Sequence, residues 1–332
     1  MAEDGRPMRV MAGMRPSGDL HLGNYLGALK NFVDLQGRYT CFFEIADWHT
    51  LTTGYEDTSE VRDAILDMAF AWLAAGIDPE KAVVFVQSDV AEHAELALLL
   101  GMVTPLSWLE RVPTYKEQLR ELAGRDIATY GFVGYPVLQT ADILAYRAEG
   151  VPVGRDQVPH LEIGREIARR FNHLYAPVFP EPRPLLTEAP VVPGLDGRKM
   201  SKSYGNTIPL DAGEDEVRTR LRGMVTDPQK VRRNDPGRPE VCPVFALHKA
   251  LVEADVVAEV DAGCRSGALG CVDCKARLTG EIEQVLAPMR ERRARVRPDD
   301  VRDILAAGAG QARAEAQETL DETREAMRLW RS

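Results

Sequence analysis

The chain has 332 residues, and 45% of them are hydrophobic, which is enough to bury the core of one large domain or of two moderate ones. Its formal net charge of −10 argues weakly against a protein coated in nucleic acid, although local patches matter more than the sum. The first residues, MAEDGRPMRV, lack the apolar core of a signal peptide, and no apolar run has the length of a membrane span. We therefore expect a cytoplasmic protein without a membrane partner.

Over about the first 200 residues, short apolar runs alternate with stretches of helical periodicity. The runs RVMAGM, CFFEIAD and AVVFVQS have the length of strands, and polar turn residues follow each of them. Continuous apolar strands of this kind are typical of a parallel sheet that helices cover on both faces. The pattern predicts an α/β domain over residues 1–206, with a Rossmann-like, doubly wound parallel sheet.

Beyond residue 206 the strand signals stop, and proline and glycine interrupt a mostly helical pattern. We predict an all-helical second domain over residues 207–298. The last stretch, about residues 299–332, carries one apolar stripe, as expected of a long amphipathic helix. The stripe leaves open whether this helix packs on the second domain or returns to the first.

A glycine-rich turn, within MRPSGDLHLGNYLGAL, follows the first predicted strand. Its glycines let the backbone approach another segment or a ligand, and His21 and Asn24 stand near the start of the next helix. The unpaired N–H groups of a helix N-terminus suit a phosphate. Neither a Walker A sequence nor a G-x-G-x-x-G fingerprint is present, so the turn by itself is weak evidence of a nucleotide site.

A second polar segment, GRKMSKSYGN, lies far downstream at residues 197–206. Lys199 and Lys202 stand three residues apart among small hydroxyl residues and glycines, with Met200 between them. A mobile loop of this composition can close over a polyphosphate and neutralise charge that develops during nucleotidyl transfer. Two lysines at this spacing more often form a solvated basic turn, so the segment gains its meaning from the first motif.

Together the two segments resemble the signature motifs of class I aminoacyl-tRNA synthetases, in the expected order and with a βαβ domain between them. KMSKS at residues 199–203 is a highly specific match. HLGN at residues 21–24 is a looser one, because Asn24 replaces the second histidine of the commoner HIGH motif. Further segments are similar to blocks of the tryptophanyl-tRNA synthetase family, so that the resemblance covers essentially the whole chain: ADWHTLT, ERVPTYKEQ, GYPVLQTADILAY, VPVGRDQ and VTDPQKVRRNDPG.

The resemblance implies activation of L-tryptophan by ATP with Mg²⁺, followed by transfer of tryptophan from its adenylate to tRNA(Trp) and release of AMP and pyrophosphate. It also implies a homodimer, an anticodon-binding role for the helical domain, and no DNA partner. The residues that it assigns to catalysis are His21, Asn24, Lys199 and Lys202. Those that it assigns to ATP are Arg15, Pro16, Ser17, Gly23, Asn24, Gly154, Arg155, Asp156, Lys199, Met200, Ser201, Lys202 and Ser203.

The same resemblance assigns tryptophan binding to a further group: Asp142, Tyr135, Gln157, Gln139, His49 and Val153. Asp142 is expected to accept the indole N–H, and Tyr135 and Gln157 to bind the α-amino group. The physics agrees, because indole is a large apolar ring with a single donor, which one acceptor satisfies. Without the resemblance, an Asp142 bonded to a backbone N–H or an arginine is the simpler interpretation. Arg15 and Gln139 stand where glutamine and methionine are commoner in the family.

Four of the five cysteines fall within 33 residues, at Cys242, Cys264, Cys271 and Cys274. In a chain without a secretion signal, this is not a disulfide framework. On spacing alone, zinc and an iron–sulfur cluster are both compatible, since each accepts four thiolates. The surroundings PEVCP and GCVDCK resemble a subset of tryptophanyl-tRNA synthetases that carry a 4Fe–4S cluster, which implies a structural cluster near the anticodon-binding surface.

Two basic stretches stand out in this acidic sequence. Residues 217–238 hold seven bases against two acids, and residues 290–297 hold five arginines against one glutamate. Such stretches usually form solvated helix faces. Together with the resemblance, the first stretch predicts contact with tRNA phosphates.

Three alternatives stay open at this point. A tyrosyl-tRNA synthetase would share both motifs, a small-molecule nucleotidyltransferase would share only the first, and an inactive relative would bind RNA or a protein. A phenol both donates and accepts, and residues 137–144 place no tyrosine beside Asp142, which favours indole. The residues that argue against inactivity are His21, Asn24, Lys199, Lys202, Asp142 and Gln157.

Overall fold

The computed structural model describes residues 5–16, 18–112, 128–186 and 192–330, apart from the side chain of Asp156. Ser17 and the Asp156 side chain, both predicted to hold ATP, lie outside this description. None of the helices in these ranges is both long and apolar enough to cross a membrane.

Five parallel strands form one sheet in the order β3-β2-β1-β4-β5. The strands are β1 (Arg9–Met14), β2 (Thr40–Ile45), β3 (Ala82–Val86), β4 (Gly150–Val153) and β5 (Arg183–Leu186). In the middle of the sheet, Val10 of β1 pairs with Cys41 of β2 on one side and with Gly150 of β4 on the other. The apolar runs form strands because helices cover both faces, and they confirm the predicted doubly wound sheet.

The strand order reverses between β1 and β4. The chain begins at β1, adds β2 and β3 on one side, and then crosses back to add β4 and β5 on the other side. In open α/β sheets, a crevice forms at the carboxyl ends of the strands at such a switch point, and ligands bind there. The segments after β1 and β4 are those that the sequence predicts to bind ATP.

Helices pack on both faces of the sheet. Residues 22–35 form the helix α1, in which a π-helical part (Tyr25–Leu29) joins two α-helical parts (Leu22–Asn24 and Lys30–Leu35). The neighbours Phe42 and Phe43 of β2 point to opposite faces, one into each core. The other helices of this part are α2 (Asp47–Gly54), α3 (Val61–Ala75), α4 (Glu92–Val103), α5 (Leu106–Leu109), α6 (Tyr130–Val133), α7 (Tyr135–Ala145) and α8 (Val158–Leu174).

The chain after residue 206 is helical, as predicted, and arginines join it to the sheet part. Its helices are α9 (Glu214–Gly223), α10 (Pro243–Leu251), α11 (Ala254–Ser266) and α12 (Cys271–Arg295). Near the end of α12, Arg292 donates to the Ala74 carbonyl of the sheet part at 2.6 Å. The guanidinium of Arg293 lies 3.4 Å from the ring centroid of Phe70. The second basic stretch therefore contributes to packing.

The last helix, α13 (Pro298–Ala326), returns to the sheet and packs on β3. At Gly308 the two elements come so close that a Cβ would lie 1.9 Å from the Val84 carbonyl oxygen. Arg324 forms a two-pronged ion pair with Glu95 of α4, which fixes the far end of the helix. This packing answers the question that the apolar stripe left open.

Candidate active site

The turn after β1 depends on a left-handed glycine and on a short amide. Gly18 has φ of +76°, which disfavours any residue with a Cβ. The Asn24 Oδ1 atom accepts a hydrogen bond from the backbone N–H of His21 at 3.0 Å and closes the first turn of α1. Asn24 thus has a structural reason to stand where the commoner motif has histidine.

The KMSKS segment lies directly on this turn. The backbone N–H of Gly23 points at the Met200 sulfur, 3.3 Å away, and Met200 is buried. A Cβ on Gly23 would lie 3.2 Å from the Met200 Cβ and 3.0 Å from the His21 ring, so a larger residue here would push the two motifs apart. The structure therefore brings together two segments that are 177 residues apart in sequence.

A hydrogen-bond network centred on Asn206 shapes the KMSKS segment. The Asn206 Oδ1 atom accepts from the Ser201 backbone N–H at 2.8 Å, and its Nδ2 donates to Asp196 at 2.6 Å and to the Lys199 carbonyl at 3.2 Å. Asn206 is buried although it follows a polar loop. The sequence interpretation included this residue in the motif and assigned it no role. Its place at the end of a glycine-rich polar segment was the one available signal.

Burial governs the charges of the two motifs. Burial lowers the pKa of the Lys202 ammonium, although the carboxylates of Asp19 and Asp67 oppose that change. Burial and the nearby charge of Lys202 lower the pKa of His21 to about 4. His21 is therefore uncharged at neutral pH, and the lysines supply the positive charge. The side chain of Lys199 is exposed.

The segment after β4 faces the same crevice. Its residues 155–157 form one turn of 3₁₀ helix, and Gln157 donates its backbone N–H to the Gly154 carbonyl at 3.0 Å. One cavity is lined by Arg15, Tyr135 and Gln157. The predicted roles of these residues at one active site require such an arrangement. Among the described residues, the other four predicted to bind tryptophan do not line this cavity. Gln139 is half-buried on α7, Val153 is buried at the end of β4, and His49 and Asp142 are buried.

Asp142 lies on α7, buried, with side-chain partners on two other elements. His49 Nε2 is 2.9 Å from Asp142 Oδ2, and Gln87 Nε2 is 3.0 Å from each carboxylate oxygen. The His49 ring in turn packs against Tyr135, with the centroids 4.2 Å apart. The partners of Asp142 are thus histidine and glutamine side chains, whereas the alternative interpretation expected a backbone N–H or an arginine.

Three further buried residues surround Asp142, and the sequence interpretation assigned them no role: Gln87, His93 and Glu44. His93 Nδ1 lies 3.1 Å from an Asp142 oxygen and 3.4 Å from a Glu44 oxygen, while its Nε2 lies 2.5 Å from the Tyr146 hydroxyl. The signal for two of them was present, since Glu44 and Gln87 are polar residues at the carboxyl ends of the apolar strands β2 and β3.

The four clustered cysteines lie at helix ends in the second part of the chain. Cys242 caps α10, Cys264 is near the end of α11, and Cys271 and Cys274 begin α12. Burial and the charges of the neighbouring thiols raise the pKa of Cys274 to about 12, so the thiols lie within electrostatic range of one another. Among the residues described, no three of these sulfur atoms lie within 4.8 Å of each other. A Cβ on Gly237 would lie 2.6 Å from the Cys264 sulfur.

The first basic stretch exposes fewer charges than its composition indicates. Lys230 is buried and donates to the Asp235 carbonyl. Four of its arginines have carboxylate partners within the helical part: Arg218, Arg220, Arg233 and Arg238. Three arginines are exposed, namely Arg222, Arg232 and the ion-paired Arg233. The surface available to an anionic partner is therefore centred on these last three arginines.

Residues 3–287 match the family of tRNA synthetases class I (W and Y). The chain belongs to this family. The match spans the turn after β1, the Asp142 network, the KMSKS segment and most of the helical part, and it confirms the predicted class of enzyme.

Relatives within the family narrow the function. The chain is 52% identical to the tryptophan–tRNA ligase of Thermotoga maritima, over 97% of this chain and 99% of the relative. It is 45% identical to the tryptophan–tRNA ligase of Aquifex aeolicus, over 97% of this chain and 100% of the relative. The crystal structure of Campylobacter jejuni tryptophanyl-tRNA synthetase complexed with ADP and tryptophan superposes with a TM-score of 0.86, at 37% identity, over 97% of this chain and 100% of that one. These comparisons confirm the predicted function of a tryptophan–tRNA ligase.

Proposed function

We propose that this enzyme forms tryptophanyl-adenylate from L-tryptophan and ATP at the switch-point crevice, and then transfers tryptophan to tRNA(Trp). The observation that carries the proposal is the contact between the KMSKS segment and the turn after β1. In this contact the Gly23 N–H lies 3.3 Å from the Met200 sulfur. A Cβ on Gly18 would lie 3.0 Å from the Lys202 ammonium, so the lysine also rests against that turn. Both motifs then face one ligand.

ATP, with Mg²⁺ on its phosphates, fits between these motifs. The Lys199 and Lys202 ammonium groups neutralise the charge that builds up on the phosphates, and the uncharged His21 donates a ring N–H without repelling them. Burial of Lys202 favours this role, because a partly desolvated cation gains most from an anionic partner. Gly154, Arg155 and Asp156 after β4 complete the predicted nucleotide side of the crevice, and Arg155 is exposed there.

The loop lysines are tested by Lys199→Ala and Lys202→Ala. We expect each change to lower the rate of tryptophan activation by on the order of 10²-fold while tryptophan affinity changes little, because the charge acts on the transition state. Single-turnover adenylate formation separates the two quantities. An unchanged rate with a raised ATP KM would mean that the lysines bind only the ground state. Lys249, an exposed lysine of α10 outside both motifs, is the matched control.

The carboxylate of Asp142 is the acceptor that we assign to the indole N–H of tryptophan. It is buried, its oxygens accept from Gln87 and His49, and His93 Nδ1 lies 3.1 Å from Oδ1. Tyr135 and Gln157 line the adjoining cavity and are assigned to the α-amino group.

Arg15 is assigned to the reacting end of the substrate. Its guanidinium lines the cavity with Tyr135 and Gln157 and forms no hydrogen bond or ion pair with any described residue. The α-amino and α-carboxylate groups share one carbon, and a guanidinium repels the ammonium, so Arg15 faces the carboxylate or the α-phosphate. This cation stands where the family more commonly has a neutral glutamine.

The reaction then needs alignment and charge neutralisation and no side-chain nucleophile. A carboxylate oxygen of tryptophan attacks the α-phosphorus of ATP, the bond to the bridging oxygen breaks, and pyrophosphate leaves with Mg²⁺. A ribose hydroxyl of the terminal adenosine of tRNA next attacks the activated carbonyl, the bond from that carbon to the phosphate oxygen breaks, and AMP leaves and takes up the hydroxyl proton. Both steps place a growing negative charge beside the KMSKS lysines or Arg15.

The proposed activity is tested by amino-acid-dependent exchange of pyrophosphate into ATP, run with each of the twenty amino acids. We expect exchange with tryptophan and little with tyrosine. Stronger exchange with tyrosine would overturn the substrate assignment, and no exchange with any amino acid would overturn the activity. The same assay excludes the nucleotidyltransferase alternative, which would not require an amino acid.

For the cysteines we propose a 4Fe–4S cluster with a structural role. Four thiolates could hold either zinc or an iron–sulfur cluster, and the surroundings PEVCP and GCVDCK, which resemble the cluster-carrying subset of the family, favour the 4Fe–4S cluster. Gly237 allows the backbone to approach the Cys264 sulfur, from which a Cβ would lie 2.6 Å, and His248 Nε2, 3.4 Å from the Cys274 sulfur, is placed for a hydrogen bond of the kind that tunes such clusters.

The cluster is tested by metal analysis after anaerobic purification. We expect iron and acid-labile sulfide in equal amounts and a brown colour. Cys274→Ser should lower the iron content, whereas Cys41→Ala, in the buried strand β2, should leave it unchanged. Zinc without iron in the anaerobic protein would overturn the assignment.

A homodimer is proposed from an apolar surface that the described residues leave open. Leu98 and Met102 of α4, Leu106 of α5 and Tyr130 of α6 are each more than half exposed, the last at 86%. Single exposed apolar residues are common, but a cluster of this size marks an interface, here with a second copy of the chain. Sedimentation of the wild type and of Met102→Glu tests it. We expect a dimer and a weakened dimer, and a wild-type monomer at micromolar concentration would refute the proposal.

A further inference from the structure

The buried network around Asp142 contains a residue that touches both sides of the predicted tryptophan pocket. Gln87, immediately after β3, is fully buried. Its Nε2 donates toward both oxygens of Asp142 on α7, at 3.0 Å each. Its Oε1 accepts from the backbone N–H groups of Trp48 at 3.0 Å and His49 at 3.4 Å, at the start of α2. One amide therefore sets the distance between the helices that carry His49 and Asp142.

The same network decides where the negative charge lies. Glu44 and Asp142 are both buried and are connected through His93, whose Nδ1 lies 3.4 Å from one and 3.1 Å from the other. Two carboxylates this close do not both ionise in an apolar interior. Asp142 has the donors Gln87 and His49, whereas the Glu44 Oε2 atom has no hydrogen-bond partner among the described residues.

The proton distribution follows from these contacts. Burial and the nearby carboxylates of Asp142 and Asp47 raise the pKa of Glu44 well above its ordinary value. Burial alone would raise the pKa of Asp142 as well, but hydrogen bonds from His49 and His93 outweigh it and lower that pKa. Ionisation of Asp142 is therefore favoured over ionisation of Glu44, and the negative charge of the pair lies preferentially on Asp142.

We propose that Gln87 is a specificity-determining positioning residue, which holds the Asp142 carboxylate in the orientation that presents an oxygen to the ring N–H of the substrate. The inference rests on the proposed function, in which Asp142 accepts a hydrogen bond from the indole N–H. Under this proposal, recognition of the ring N–H depends on the side-chain amide of Gln87, which does not contact the substrate. Without that amide, Asp142 can rotate toward His49 and His93, and the ring N–H loses a fixed charged acceptor.

The test measures discrimination for the ring N–H. It compares kcat/KM in pyrophosphate exchange for tryptophan and for the analogue with a benzothiophene ring, which has nearly the same shape and no N–H. Gln87→Met should lower kcat/KM for tryptophan by about 10-fold or more and change the analogue by less than about threefold, since the lost bond is to a charged group. Asp142→Asn is run beside it.

A second variant keeps the acceptor for the backbone of α2 and removes only the N–H donor to Asp142. Gln87→Glu retains an acceptor for the Trp48 and His49 N–H groups but presents a second carboxyl to Asp142. That carboxyl donates only while protonated, so discrimination in this variant should fall as pH rises. The titratable groups of this network are Glu44 of β2, Asp47 and His49 of α2, His93 of α4, Asp142 of α7, and Tyr146 directly after α7.

Gln36 is the matched control, because it is also a buried glutamine that joins two backbone segments. It donates to the Gly76 carbonyl and accepts from the Asp78 N–H, both at 2.8 Å, away from the site. Gln36→Met should lower the melting temperature and leave discrimination unchanged. If Asp142→Asn abolishes discrimination and both Gln87 variants keep it at every pH, the role of Gln87 is overturned. If Asp142→Asn itself keeps discrimination, the proposed hydrogen bond from the indole N–H to Asp142 is overturned, whatever the Gln87 variants show.

Discussion

Asp142→Asn changes one atom at the centre of the predicted indole site. The Asp142 carboxylate accepts from His49 Nε2 at 2.9 Å and from Gln87 Nε2 at 3.0 Å on both oxygens. An amide offers one oxygen, so its NH₂ must face either the His49 or the Gln87 donor. Alanine would be a poorer choice, since it leaves both buried donors without an acceptor and costs about 1–3 kcal/mol of stability for each.

The expected effect on catalysis follows from the bond that tryptophan loses. A hydrogen bond to a charged acceptor contributes about 1.5–3 kcal/mol, which corresponds to a 10- to 150-fold fall in kcat/KM for tryptophan. Pyrophosphate exchange measures it, with thermal unfolding as a check that the variant is folded. The benzothiophene analogue should lose little. An equal loss for tryptophan and the analogue would refute the reasoning, because it would show that Asp142 supports the pocket without reading the ring N–H.

Three other expectations concern tRNA binding, packing and pH. Reversing the charges of Arg232 and Arg233 should weaken tRNA binding and flatten its salt dependence while pyrophosphate exchange stays intact; an equal loss of exchange would place these arginines in the fold or the ATP site. Gly308→Ala should destabilise the protein by about 3 kcal/mol, since its Cβ would lie 1.9 Å from a β3 carbonyl, whereas Gly310→Ala, with open space around it, should be neutral or stabilising in urea unfolding. The pKa of His21 is lowered to about 4 from 6.5, so the unfolded chain binds the proton more tightly, and the free energy of unfolding should fall as pH drops from 6.5 toward 4. His21→Asn should remove that part of the pH dependence, and an unchanged profile would contradict the assignment.

The amino-acid sequence by itself determined the strands and the two signature motifs. The runs over β1, β2 and β3 are apolar at nearly every position, and a strand buried on both faces leaves few other interpretations. The sequence pattern also indicated the change to helices after residue 206. The motif residues His21, Lys199 and Lys202 could be named because the two segments together resemble the signature motifs of class I aminoacyl-tRNA synthetases. These features are local, since periodicity and composition act over a few residues.

Only the tertiary structure decided which of these residues meet. The partners of Asp142 lie 93 and 55 residues away, and the Met200 sulfur lies 177 residues from the N–H that it accepts. A hydrogen bond depends on positions within a few tenths of an ångström, which follow from how whole strands and helices pack. The basic stretches show the same limit: composition counted their charges, and packing decided that Arg292 and Lys230 serve the fold while Arg232 faces solvent.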